Sequence, residues 1–198
     1  MDNKNETCTL TKKKLLRLIP IYLLCLILLF SYLFILFLKP DVCLEYKMYY
    51  IDDILWDWPG YNGLDYKLGE TVYFGETLAD HNSKRRGHGW AQRDNDYCST
   101  NGNRVSVYFA LKERTSLDIA VSVKDIYCSS YTLFVNGTPV TDKLTHQNTA
   151  FTFNVPSELV SDGLLELTFE TEALQEPPSG YTGPLGVQVE SIVITNAN

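Results

Sequence analysis

From Leu18 to Leu38 the chain carries no charged residue. As a helix this run is long enough to cross a bilayer, because about 20 apolar residues, each rising about 1.5 Å, match the hydrocarbon core. Pro20 falls in its first turn, where a missing N–H costs little. A cleaved signal peptide would have a shorter apolar core and a small-x-small site after it. Lys39-Pro40-Asp41-Val42-Cys43 offers no such site. The expectation is therefore an uncleaved anchor: a tail over 1–17, a transmembrane helix over 18–38, a juxtamembrane segment over 39–65 and an exported domain over 66–198.

The tail holds Lys12, Lys13, Lys14 and Arg17, which places it in the cytoplasm by the positive-inside rule. Beyond residue 17 there are 12 basic and 22 acidic side chains, a formal net of −10. An exported domain this acidic is a poor partner for nucleic acid or anionic lipid. Export also sorts the cysteines. Cys8 and Cys25 stay as thiols, whereas Cys43, Cys98 and Cys128 reach a compartment where disulfides persist. Cys98 and Cys128 both fall inside the folded domain, so their pairing is expected. Cys43 is left as a free thiol or an intermolecular bridge. No C-x₂-C spacing suggests zinc, and no metal or cofactor is expected.

After the membrane the pattern is β. Val105, Val107, Phe109 and Leu111 alternate with Ser106, Tyr108 and Ala110, and Leu117, Ile119, Val121 and Val123 alternate with Asp118, Ala120 and Ser122. Period-2 alternation means one buried face and one wet face. Asn136-Gly137 is a strong hairpin signal. It also opens a formal glycosylation sequon, but the positive φ of a tight turn explains it more simply. In the last run, Leu185 to Ile194, the alternation changes phase near Glu190-Ser191, which predicts a bulge. Short strands separated by turn signals, with no amphipathic helix, predict an antiparallel two-sheet β-sandwich. The stretch Ile54 to Gly63 is aromatic and turn-rich. Trp56 and Trp58 are of the type that anchors at a membrane interface, but they lie too far along the chain for sequence alone to assign them.

Leu68-Gly69 followed by Phe74, then Gly87-His88-Gly89-Trp90-Ala91, then Tyr97 to Arg104, Val135-Asn136-Gly137 and finally Pro184 to Ile192 form a recognisable linear order. This order resembles the jelly-roll domain at the C-terminal end of some bacterial membrane phosphoglycerol transferases and glycosyltransferases, over about Tyr66 to Thr195. The resemblance implies an all-β, jelly-roll-like sandwich associated with periplasmic glucan or surface polysaccharide, in the bacterial inner membrane with its domain periplasmic or extracellular. That family tends to carry a second tryptophan where this chain has Tyr97. No transferase catalytic domain accompanies the module in this sequence, so transferase activity is not implied.

Sugars are held by aromatic faces and by planar polar side chains that bond the hydroxyls. The loop around Trp90 is the richest cluster of both. The candidate ligand-binding residues are Trp90, Arg93, Asp94 and Tyr97, with Arg85 and Arg86 placed to meet phosphate or other acidic substituents. Each has a plainer reading. Trp90 and Tyr97 can be core aromatics, Lys84-Arg85-Arg86 an exposed turn, and Asp94-Asn95-Asp96 a solvated loop rather than a calcium site. Glu70 and Glu76 could be the paired carboxylates of a glycosidase, or simply solvated acids. No nucleophile elbow, H-E-x-x-H or phosphate loop is present, so no catalytic residue is assigned. The expected function is a non-catalytic, membrane-tethered module whose partners are a glycan or polysaccharide and, through synthesis, a membrane glycosyltransferase or phosphoglycerol transferase. The alternatives are an assembly subunit docking a polytopic transferase, or a hydrolase.

Overall fold

The structure is a computed structural model describing residues 3–38, 41–76, 84–160, 162–176 and 183–197. The chain divides after Val42 into two units. The first is a helix, α1 (Asn3–Phe37), whose stretch Leu18–Phe37 is long and apolar enough to cross a membrane. Every side chain from Leu18 to Leu38 is exposed, which is not the environment of a soluble core helix.

The second unit is an all-β sandwich. Its strands are β1 (Asp65–Tyr66), β2 (Thr71–Tyr73), β3 (Trp90–Arg93), β4 (Cys98–Thr100), β5 (Arg104–Leu111), β6 (Leu117–Ile126), β7 (Cys128–Val135), β8 (Thr138–Pro139), β9 (Ala150–Val155), β10 (Leu164–Leu174) and β11 (Val187–Asn196). One sheet has the order β1-β5-β10-β7-β8 and the other β3-β4-β11-β6-β9. All pairings are antiparallel except β1 with β5. One edge of β11 is shared, by β4 along Gln188–Val189 and by β2 along Ser191–Val193. The change of partner coincides with the expected bulge: Val189 faces Val123 and Ser191 faces Ser122, which leaves Glu190 extra.

The inward residues of both sheets form one core that includes Phe109, Leu133, Phe169, Ile119 and Ile192, all fully buried. Each large apolar side chain removed from water in this way contributes roughly 1.5–3 kcal/mol. Asn136 (φ 48°) and Gly137 (φ 80°) both take the left-handed conformation that a two-residue hairpin needs between β7 and β8. The Asn136 side chain also accepts from the Glu166 N–H at 2.8 Å and donates to the Leu164 carbonyl at 3.0 Å, so the turn is tied to β10.

Two sequence expectations change here. The wet face expected for β5 is partly covered. Tyr108 is buried with Met48, Leu55 and Leu64, because the segment after Cys43 folds back over the outer side of that sheet. A short helix α2 (Leu44–Tyr46) runs into a π-helical turn, Lys47–Ile51, that carries Met48 into this second cluster. The expected disulfide is absent. Cys98 on β4 and Cys128 on β7 belong to opposite sheets, and both are buried thiols.

Candidate functional site

Trp90 opens β3 opposite Thr100 and points inward. Its ring stacks on Phe74 at 5.2 Å and meets Phe169 edge-on at 5.9 Å. Its Nε1 donates to the Ser106 carbonyl at 3.0 Å, so the indole's one polar atom is satisfied inside the domain. Trp90 is 5% exposed and presents no face to a sugar. The plain reading of this residue, a core aromatic, is the one the structure takes.

The two arginines expected at the surface are also buried. Arg85 donates to the Asp65 carbonyl at 2.6 Å and to the Leu64 carbonyl, and its guanidinium lies over Phe109 and Tyr66. Burial pushes its pKa down, against the opposing pull of Glu70, Tyr66 and Asp65. Arg86 donates to Cys98 Sγ at 2.9 Å and lies 3.7 Å from the Asp57 carboxylate. Its backbone pairs with Val107, which draws the basic run onto β5 instead of leaving it as an exposed turn. The two guanidiniums fasten the segment 55–65 to the sandwich.

Asp94 and Tyr97 close the turn between β3 and β4. The Tyr97 hydroxyl donates to Asp94 Oδ2 at 2.8 Å, and the Asn95 N–H donates to Oδ1 at 2.6 Å. Tyr97 is 8% exposed, with the Lys124 ammonium 4.5 Å from its ring centroid and Asp96 pairing with the same lysine at 3.7 Å. Gly75 passes so close that a Cβ there would lie 2.4 Å from the Asn95 carbonyl oxygen, and the Glu76 N–H donates to the Asp94 carbonyl at 2.8 Å. The backbone of Arg93 sits opposite Cys98, and its side chain lies outside the described residues.

This loop also presents His88 outward, and the fold brings it a tryptophan from elsewhere. Leu55 bridges to Gly87, and the Trp56 N–H donates to the Arg86 carbonyl at 2.9 Å. Trp56 thereby stands beside His88 with ring centroids 5.5 Å apart and planes at 81°. Trp56 is 55% exposed. His88 Nε2 lies 3.0 Å from the Asp53 carbonyl oxygen and 3.6 Å from its carboxylate, and Asp57 stands next along the chain against Arg86. An exposed indole beside an imidazole, with the Asp53 carboxylate against that imidazole, can stack on a pyranose and bond its hydroxyls. The sequence does not join His88 to Trp56, because no local signal announces a pairing across about 30 residues of chain.

A second concavity, about 300 Å³, is lined by Asp65, Lys67, Glu70, Lys112 and Glu113 beside Tyr66. It contains Glu70 but not Glu76, so it does not bring the two candidate carboxylates together. Its one aromatic, Tyr66, is a buried residue. Among the described residues, no three His, Cys, Asp or Glu side chains gather as metal ligands.

No protein-family model matches the chain, and no curated protein matches it in sequence. Among solved structures, similarities include a ruminal GH26 endo-β-1,4-mannanase (16% identity, TM-score 0.37, 67% of this chain and 27% of that one). They also include a CBM35 from Paenibacillus barcinonensis (18%, TM-score 0.32, 66% and 92%) and a Paenibacillus xanthan lyase (15%, TM-score 0.32, 51% and 10%). The chain thus spans about a quarter of the mannanase and a tenth of the lyase. These likenesses are distant. The two-sheet sandwich is established by the strand pairing itself.

Proposed function

We propose that the protein is a membrane-tethered, non-catalytic module that engages a glycan on the outer surface of the 85–97 loop, with Trp56 in the role first expected of Trp90. The observation that carries this reading is the exposed Trp56 ring held beside His88, whose imidazole meets Asp53, at the rim of the sandwich. Loops fixed by such a scaffold are where binding residues concentrate. With Arg85 and Arg86 buried, the surface favours neutral sugar hydroxyls over acidic substituents. The charge-free run 18–38 and the basic tail before it support an uncleaved anchor with the tail cytoplasmic and the sandwich exported. The resemblance to the appended domain of phosphoglycerol transferases and glycosyltransferases supports a place beside envelope glucan or polysaccharide synthesis at a bacterial inner membrane.

The test is calorimetric titration of the full chain, in a detergent without a sugar headgroup, with neutral and phosphoglycerol-substituted gluco-oligosaccharides. Saturable binding is expected, weakened several-fold by Trp56→Ala, since an aromatic contact of about 1 kcal/mol corresponds to roughly a fivefold change. Equal affinity in Trp56→Ala would remove this surface as the site. Failure to bind any of the oligosaccharides would favour the assembly-subunit reading.

A further inference from the structure

The helical segment from Leu44 to Ile51 has two sides. Met48 enters the second hydrophobic cluster with Leu55, Leu64 and Tyr108. The other side gathers aromatic rings around Trp58. Their centroids lie 6.5 Å (Tyr46), 5.9 Å (Tyr49), 5.5 Å (Tyr50) and 5.7 Å (Tyr61) from that of Trp58. Tyr50 is 59% exposed and Tyr61 79%. Lys47 in the same segment is paired with Asp52 at 3.8 Å, so the patch offers little net charge.

We infer that this patch is a second membrane contact, seated in the headgroup layer of the bilayer that α1 crosses. The inference rests on the anchor reading of α1. Three observations choose a lipid surface over other occupants. First, six peptide units join Leu38 to Leu44, which reach at most about 20 Å, so the patch cannot stray far from the membrane surface. Second, Tyr and Trp suit the interface because the ring is apolar while the hydroxyl or N–H remains in polar surroundings. Third, the edge-on packing of Trp58 with Tyr46 (82°) and Tyr61 (89°) does not present the one flat face on which a pyranose stacks. The contact is aromatic rather than ionic, in keeping with an acidic domain that anionic lipid would repel.

The experiment uses the full chain reconstituted in phosphatidylcholine vesicles containing a headgroup nitroxide lipid, with tryptophan fluorescence as the readout. Trp58→Phe keeps the apolar ring and leaves Trp56 and Trp90 as emitters. The nitroxide is expected to quench the wild-type protein, and Trp58→Phe to lose most of the quenched fraction, with raised salt changing neither result. Equal quenching in the two proteins overturns the seat, as does loss of the Trp58 signal in raised salt, which would make the contact ionic. A Trp58 response to gluco-oligosaccharide without lipid quenching overturns it in favour of a glycan platform. Flotation separates the two readings. A chain that does not float with vesicles after alkaline washing refutes the anchor and this contact together. A chain that floats without the Trp58 signal refutes this contact alone.

Discussion

Phe74 and Trp90 stack in the core with ring centroids 5.2 Å apart and planes 25° from parallel. Phe74 follows β2 and Trp90 begins β3, so this single contact joins the two ends of the 75–89 connection. Both residues belong to the motif order on which the family resemblance rests. In this chain they act as interior packing.

Trp90→Ala should therefore destabilise the domain by about 3–5 kcal/mol, the usual cost of truncating a buried aromatic. Phe74→Ala should fall in the same range. The double variant should cost less than the sum of the two, by roughly 0.5–1.5 kcal/mol for the lost ring pair. Denaturant unfolding of the three variants, followed by circular dichroism, measures this. A Trp90→Ala domain with unchanged stability would contradict the core placement.

The thiols give a second test. Cys98 and Cys128 should each take one alkyl group when the protein is denatured without reductant, and neither should react in the native state. Burial pushes the Cys128 thiol up to about 11, which keeps the reactive thiolate scarce at neutral pH. Cys43, only partly buried, should react before them. Mass mapping of alkylated peptides distinguishes these outcomes. A linked peptide joining Cys98 to Cys128 would refute the assignment of both as thiols.

Stability should fall on the alkaline side. Burial raises Cys128 from its ordinary 9.0 to about 11, and burial with Glu166 nearby raises Tyr108 from 10.0 to about 12. Tyr131 is also raised by burial. A group whose native pKa lies above its unfolded value contributes stability that is fully present below the unfolded pKa and is lost as pH rises through the native one. The loss should run between about pH 9 and pH 12, where the unfolded chain binds fewer protons than the native one. Tyr108→Phe should flatten the upper part of that fall by removing one of the ionising phenols. Urea midpoints across this range provide the measurement, and a midpoint independent of pH would contradict it.

Local pattern was sufficient for the apolar helix, the alternating strands and the hairpin, but not for the helical segment Leu44–Tyr46 and Lys47–Ile51. An uncharged run is read residue by residue, period-2 alternation puts Leu117, Ile119, Val121 and Val123 on one face, and Asn136-Gly137 encodes its own turn. All of these depend on neighbours a few positions apart, and the phase change at Glu190 is equally local. Tertiary structure decided what covers each face and which side chains meet. Tyr108 alternates as a surface residue but is buried, because the segment after Cys43 packs on its sheet. Arg85 and Arg86 read as a solvated basic run, yet both are buried: the Arg85 guanidinium donates to backbone carbonyls, and Arg86, bridged by its backbone to Val107, donates to the Cys98 thiol. Trp90 and Trp56 are the same residue type in similarly aromatic, polar stretches. Trp90 is inside because its Nε1 finds the Ser106 carbonyl between two core rings, and Trp56 is outside because its backbone is spent on Arg86 at the rim. Composition does not separate the two, because burial is set by contacts between distant parts of the chain, and those form only when the sheets close.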